Sequence, residues 1–226
     1  MKNILIVGAS KGIGNALANR LKEDHKIINL SRTQTEPDKN ITNYSIDIVN
    51  DELPDIEEDI HGLVFCPGNI NLKPFGRLEL DEFKNDFEIN VIGAIKTIQK
   101  YIKQLIQGKG SVVLFSTVAT KLGMPFHAST AASKSAVEGL ARSLAAEFAT
   151  KIRFNCIAPT VTDTPLAEKL LRNDKQREAM ELRHPLKTYL KPNEVANMAR
   201  YLLSEDSSAI SGQVFYIDAG IVNLKL

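Results

Sequence analysis

A doubly wound α/β domain, with a parallel sheet of about seven strands and helices on both faces, is what the sequence predicts. Three observations carry it. Short β-branched runs alternate with longer amphipathic stretches from one end to the other. Several of the short runs are almost continuously apolar, as parallel strands covered on both faces must be. A glycine-rich turn follows the first run directly and opens the first amphipathic stretch.

The elements follow in order. Residues 4–7 (ILIV) form the first strand, the glycine turn occupies 8–14, and the first helix spans 14–23. A second strand covers 26–30, and the polar stretch 33–42 reads as a loop before a third strand at 44–46. The fourth strand is 62–66, followed by one long helical pattern over 80–106 and a fifth strand at 111–115. A small-residue helix spans 131–149, the sixth strand 152–157, a helix 193–203 and the last strand 213–217. Consecutive β-α-β units of this kind close with right-handed crossovers. Residues 160–185 form a charged, weakly periodic insertion after the sixth strand. Ligands of such sheets sit outside the carboxyl ends of the strands, so this insertion is expected to act as a substrate lid. No repeat, low-complexity tract or linker divides the chain, and residues 1–226 are expected to be one domain.

Composition narrows the function. The chain is 43% hydrophobic and 24% charged, which suits a soluble globular domain, and its net charge of +1 gives no pull toward nucleic acid or a membrane surface. No apolar stretch approaches the ~20 residues of a membrane span, and the opening MKNILIVGAS is too short an apolar run for a secretory signal. Cys66 and Cys156 both lie in apolar segments and read as buried thiols of a reducing compartment. The expected location is the cytoplasm, with neither nucleic acid nor membrane as partner and with no metal site.

The turn Gly8-Ala9-Ser10-Lys11-Gly12-Ile13-Gly14 has a specific physical use. Its glycines permit a tight strand-to-helix turn and let the backbone approach a pyrophosphate, which then rests on helix N–H groups at the positive end of the helix dipole. Strand before and helix after point to a dinucleotide-binding turn of the Rossmann type, the alternative being a loop that is glycine-rich by chance. Its spacing, Gly-x-x-x-Gly-x-Gly, is a less common variant.

With that spacing, GASKGIG (8–14) resembles the short-chain dehydrogenase/reductase family. So, in the family's order, do SRTQ (31–34), DI (47–48), CPG (66–68), NVIG (90–93), STVA (116–119), TAASK (130–134), RFNCIAPTVTDT (153–164) and SGQVFYIDAG (211–220). The resemblance runs the length of the chain and implies a nicotinamide dinucleotide bound by Gly8, Ser10, Lys11, Gly12, Ile13 and Gly14. Relatives that choose NAD carry an acid at the end of the second strand. Here Ser31 and Arg32 stand there, with Lys11 nearby, and two cations with a hydroxyl suit a 2′-phosphate. NADP(H) is therefore expected over NAD(H), the alternative being that both cations are ordinary solvated surface groups. The resemblance places Asp47 and Ile48 beside the adenine, Cys66 and Gly68 against the cofactor, and Pro159, Thr162 and Thr164 at the nicotinamide carboxamide. Cys66-Pro67-Gly68 replaces the usual Asn-Ala-Gly, so Pro67 removes one N–H donor, and Thr160 replaces a usual glycine.

The same resemblance implies a hydride transfer between the nicotinamide and a carbonyl carbon, with Asn90, Thr117 and Lys134 matching three of the four catalytic positions. The fourth, normally tyrosine, is Thr130. An aliphatic alcohol is far less acidic than a phenol and its side chain is shorter, and loss of a general acid typically costs ~10²–10⁴-fold. His127, three residues earlier, is the nearest residue that titrates near neutrality, and its expected role is structural or in binding. The principal expectation is thus an NADP(H)-dependent oxidoreductase acting on a small-molecule or acyl-carrier-bound carbonyl, impaired by Thr130. The alternative is an NADP(H)-binding homologue without catalysis, acting as a sensor or as partner of an active enzyme. A third reading, that Thr130 was introduced or belongs to a degraded copy, stays open beside them. The mixed charges of 166–185 read as a solvated helical face. The long helices, with small residues along the second, are expected to pair in a homodimer or homotetramer, the alternative being that those small residues pack against the chain's own sheet.

Overall fold

The computed structural model describes residues 1–225. Seven parallel strands form one sheet in the order β3-β2-β1-β4-β5-β6-β7. They are β1 (Lys2–Val7), β2 (His25–Ser31), β3 (Ile41–Ser45), β4 (Gly62–Phe65), β5 (Ser111–Phe115), β6 (Arg153–Pro159) and β7 (Val214–Ile217). The order reverses direction between β1 and β4, so the loops after these two strands diverge and leave a crevice at their carboxyl ends. Helices α1 (Gly12–Leu21) and α7 (Pro192–Leu203) cover one face. On the other lie α2 (Leu80–Phe87), α3 (Gly93–Lys100), α4 (Ile102–Gln107) and α5 (Ala128–Glu147). A further helix, α6 (Asp174–Arg183), belongs to the insertion after β6.

Strand alternation builds both cores at once. In β1, Ile4 and Ile6 join Leu17, Val195 and Leu202 on the α1/α7 side, while Leu5 and Val7 join Leu63, Tyr101 and Leu105 on the other. Every one of these side chains is at most 1% exposed. That explains why the strand runs are apolar without interruption.

Four expectations are corrected. The helical pattern over 80–106 is not one helix: a π turn at Glu88–Ile92 and a break at Tyr101 (φ −108°, ψ 16°) divide it into α2, α3 and α4. The π turn adds a residue to the helical period at Asn90, which periodicity alone does not register. The loop over 33–42 gives its last two residues to β3, an edge strand with no fully buried residue and therefore a weak apolar signal. The small-residue helix begins at Ala128, so Thr130 lies within its first turn. The insertion is better ordered than its weak periodicity suggests, with a 3₁₀ segment at Pro165–Leu170 and α6, which buries none of its residues. No helix of the described residues is long and apolar enough to cross a membrane.

Candidate active site

The glycine turn has the form its spacing requires. Gly8 (φ +87°) and Gly12 (φ +57°) take left-handed backbone, and a Cβ on Gly14 would lie 2.2 Å from the Gly8 carbonyl oxygen. No side chain fits at position 14, and the turn packs as bare backbone under the N-terminus of α1. The turn is anchored by Gly8 N–H to the Leu30 carbonyl (2.8 Å) and Ala9 N–H to Asn29 Oδ1 (3.1 Å). This turn, bare of side chains at its three glycines and leading into helix N–H groups, fits a dinucleotide pyrophosphate.

Arg32, just past the end of β2, and Lys11, in the glycine turn, are exposed, and no ion pair of either is seen among the described residues. Arg32 is near enough for its charge to bear on Asp47. Asp47 accepts from the Val49 N–H at 2.9 Å, and this bond holds its carboxyl below the usual range. Ile48 is buried in the core. Ser31 departs from expectation. Its hydroxyl turns inward and donates to Asn29 Oδ1 at 2.5 Å, inside a polar cluster that Asn43 and Thr35 complete. The reason is local: Asn29 is 1% exposed and needs partners for its amide.

Asn90 and Lys134 meet at Gly68. A Cβ on Gly68 would stand 3.3 Å from Asn90 Oδ1 and 3.4 Å from Lys134 Nζ, so both polar groups converge on one bare stretch of backbone after β4. Lys134 Nζ donates to the Phe115 carbonyl at 2.9 Å. Burial is the main influence on its ammonium and lowers its pKa to about 8, against the favourable fields of Cys156, Cys66 and Asp86. Thr130, four residues earlier on α5, is 5% exposed, and its hydroxyl has no partner among the described residues. Thr117 Oγ1 accepts from the Ala119 N–H at 3.3 Å, which leaves its own proton available. Ser116 points away, donating to Glu138 Oε1 at 2.6 Å. His127 is tied to the Pro125 carbonyl through Nδ1 at 2.7 Å, in keeping with a structural role. Burial pushes the Cys66 thiol up to about 12, so what Cys66 offers a ligand is its backbone.

The segment after β6 crosses the glycine turn. Thr164 Cγ2 would touch a Cβ on Gly12 at 3.2 Å, and Thr162 pairs with Leu190 through bonds flanking it, Asp163 N–H to Leu190 O (2.8 Å) and Leu190 N–H to Val161 O (3.0 Å). Thr160 has a purpose that a glycine could not serve: its hydroxyl meets His184 Nε2 at 2.8 Å, while His184 Nδ1 is held by the Met180 carbonyl at 2.6 Å. Arg177 of α6 bonds Asp163 (2.9 Å) and the Tyr189 hydroxyl (2.7 Å), and these bonds raise its already high pKa. The helix α6 and the residue after it are thus tied back to the start of the insertion at two points. An open cavity of about 450 Å³ lies beside the Arg177–Asp163 contact, lined by Asp163, Thr164, Glu168, Leu171 and Arg172. A second, of about 590 Å³, runs between α1 and α7 past Asn15, Arg20 and Asn193. Neither is lined by Asn90, Thr130 or Lys134. Among the described residues, no group of His, Cys, Asp and Glu is arranged to hold a metal ion.

Sequence reasoning passed over the buried Asp86 and the half-buried Asn69 and Asn71, which form a polar cluster against Asn90. The available signal was the spacing of Asp86 four residues before Asn90, and the Asn-Ile-Asn that follows Gly68.

Residues 42–222 match a family profile described as "Enoyl-(Acyl carrier protein) reductase". The chain is 31% identical over 237 residues to a 3-oxoacyl-[acyl-carrier-protein] reductase of Rickettsia felis, covering 98% of this chain and 97% of that protein. It is 28% identical to a glucose 1-dehydrogenase of Gluconobacter oxydans, over 97% and 91% of the two chains. Among solved structures, ligand-free aldohexose dehydrogenase of Thermoplasma acidophilum superposes with a TM-score of 0.89 at 26% identity, over 99% of this chain and 95% of that one. All three relatives are oxidoreductases by name, and their coverage leaves no part of the fold unmatched. The chain belongs to the short-chain dehydrogenase/reductase family.

Proposed function

We propose that the protein is an NADP(H)-dependent oxidoreductase that interconverts a carbonyl and an alcohol, with Thr130 in place of the usual proton donor. The observation that carries this reading is the convergence of Asn90 Oδ1 and Lys134 Nζ at Gly68, in the crevice where the sheet order reverses. A bound nicotinamide dinucleotide would supply or accept the hydride. The glycine turn, with Ser10 and Ile13, would hold its pyrophosphate. Lys11 and Arg32 would take a 2′-phosphate, Asp47 and Ile48 would border the adenine, and Pro159, Thr162 and Thr164 would line the nicotinamide.

The protein's own groups then have distinct tasks. Lys134, protonated at neutral pH with a pKa of about 8, offers N–H donors beyond the one given to Phe115. Thr117 has a free hydroxyl proton for a substrate oxygen. Thr130 has a buried, unpartnered hydroxyl, able to hydrogen-bond but a poor acid. The acyl-carrier-protein reductases among the relatives support a thioester-borne 3-oxo group as the first substrate class, with small ketones and sugars after it. The insertion over 160–185 serves as the lid, and residues 1–226 act as one catalytic domain.

Two small-residue and apolar stripes support a homodimer or homotetramer. Ala132, Gly139 and Ala146 recur every seven residues on the exposed side of α5, and Leu80 and Phe87 do so on α2. Cys66 and Cys156 are free, with thiols held protonated by burial, which suits a reducing cytoplasm.

The test is a titration of the purified protein with NADPH and NADH, followed by acetoacetyl thioester, ketone and aldose substrates. Saturable NADPH binding with turnover supports the proposal. NADPH binding without turnover of any carbonyl favours the second reading, a cofactor-binding homologue without catalysis, for which the unpartnered Thr130 hydroxyl already speaks. No binding of either cofactor would overturn both.

A further inference from the structure

Asp86 is the most deeply buried carboxylate among the described residues, at 0% exposure, and the chemistry above makes no use of it. It stands in α2, four residues before Asn90. Two side-chain amides donate to its Oδ1: Asn71 Nδ2 at 2.7 Å, and Asn69 Nδ2. Its Oδ2 has no partner. Asn69 in turn accepts through Oδ1 from Asn90 Nδ2 at 3.1 Å, and the same Asn90 nitrogen donates to Ser133 Oγ at 3.2 Å. The Asn90 carbonyl oxygen is the end of the series, without a protein partner, beside Gly68 and Lys134.

A primary amide carries donors at one end and an acceptor at the other, and turning it over costs almost nothing in itself. Two amides in series could therefore run in either direction. An ionised carboxylate removes the ambiguity because it can only accept. Asn69 must turn its NH₂ to Asp86 and its oxygen to Asn90. Asn90 must then donate to Asn69, which leaves its own oxygen for the site. A residue needed here only to fill space would be apolar, like Val91 and Ala94 beyond it, since a fully buried carboxylate held by neutral donors is costly.

The geometry points to Asp86 as a positioning residue: an acceptor-only terminus that sets the direction of the Asn69 and Asn90 amides and keeps the Asn90 carbonyl oxygen, not its NH₂, facing Lys134. The role rests on the reading of Asn90 and Lys134 as parts of one active site. The field of Asp86 also favours the Lys134 ammonium, which couples the two ends of the series a second way.

The side-chain amide signals of Asn69 and Asn90 in ¹⁵N–¹H spectra of the full chain test this without any substrate. They are assigned with Asn69→Asp and Asn90→Asp. Asp86→Asn keeps the shape but restores the ambiguity, since an amide can offer either end. Its Asn90 NH₂ signals are expected to split or broaden and to exchange with solvent about tenfold faster, with backbone signals of the central strands unmoved. Where turnover is measurable, kcat should fall while the KM for NADPH holds. If Asp86→Asn is too unstable for spectra, Asn69→Ser, which cuts the link and leaves Asp86 in place, should disturb Asn90 in the same way. Single Asn90 signals at wild-type positions and exchange rates in whichever of these variants folds would overturn the role. Failure of the wild-type protein to reduce any carbonyl would count against the proposed activity and leave this outcome untouched.

Discussion

Thr130 and Lys134 lie four residues apart on the buried face of α5, and of the two side chains only that of Lys134 has a hydrogen-bond partner among the described residues, the Phe115 carbonyl at 2.9 Å. In the proposed reaction Lys134 would supply the cation that sharpens a nearby acid. The group beside it is an alcohol whose own acidity leaves little to sharpen.

Thr130→Tyr is therefore expected to raise carbonyl reduction by ~10²-fold, the usual worth of a general acid. Thr130 is 5% exposed, so the ring must displace its neighbours or reach into the crevice. Steady-state rates with an acetoacetyl thioester, measured alongside NADPH affinity, check this. An unchanged rate with cofactor still bound would show that another group already donates the proton.

Lys134 carries a pH signature in stability. Its pKa in the fold is about 8, below the ordinary 10.5, because burial disfavours the charge. Between these values the unfolded chain holds a proton that the folded one has released, so this group makes stability rise with pH across that window and weighs against folding below it. The 2.5-unit difference between 10.5 and 8 corresponds to an upper bound on the order of 3 kcal/mol. Lys134→Met should remove the rise between pH 8 and 10.5 and stabilise the protein at pH 7, less the lost bond to Phe115. Denaturant midpoints of both proteins at several pH values measure it. Parallel curves would refute the shift.

Two glycines should respond in opposite ways to alanine. Gly14→Ala forces a methyl to within 2.2 Å of a carbonyl oxygen and should cost ~3 kcal/mol or more, with NADPH binding lost. Gly139 lies inside α5 with nothing within 4 Å of a Cβ, so Gly139→Ala should stabilise the isolated subunit by ~0.5–1 kcal/mol. If the α5 stripe is the subunit interface, the added methyl weakens association as well. Light scattering at micromolar concentration is expected to show a dimer or tetramer for the wild type, and a monomer would remove the interface proposal.

Lys11→Ala combined with Arg32→Ala is expected to weaken NADPH about tenfold to hundredfold, since bonds to a doubly charged phosphate exceed neutral ones. NADH affinity should hardly move. Calorimetry with both cofactors decides it, and equal losses for the two would mean that the cations serve the shared pyrophosphate instead.

The parts of this protein that were legible in its sequence are those governed by local rules. Apolar runs such as ILIV and SVVLF can only be strands covered on both sides, and the third glycine of the turn is required by backbone contact at 2.2 Å. The motifs in a fixed order along the chain singled out Asn90, Thr117, Thr130 and Lys134, and the structure brings Asn90 and Lys134 together at Gly68. Less was legible where non-local packing decides. The helix over 80–106 reads as continuous because its apolar period survives the π turn at Glu88–Ile92, yet that turn shifts the register at Asn90. Ser31 reads as a phosphate ligand until Asn29, two residues earlier on the same strand face, claims its hydroxyl.

Sequence by itself determined the sheet, the glycine turn, the cations Lys11 and Arg32 without an acid at the end of β2, and the absence of a phenol at position 130, because each depends on residue type at a fixed spacing. Only the tertiary structure decided which polar groups are buried together. Asp86 looks like one charge among several on a polar helix until the loop after β4 folds over it and Asn69 and Asn71 turn their amides inward. Thr160 looks like a tolerated replacement until His184, 24 residues on, arrives at 2.8 Å. Both follow from one physical fact: a buried polar group must find its partner wherever the fold brings one, and distance along the chain carries no record of that.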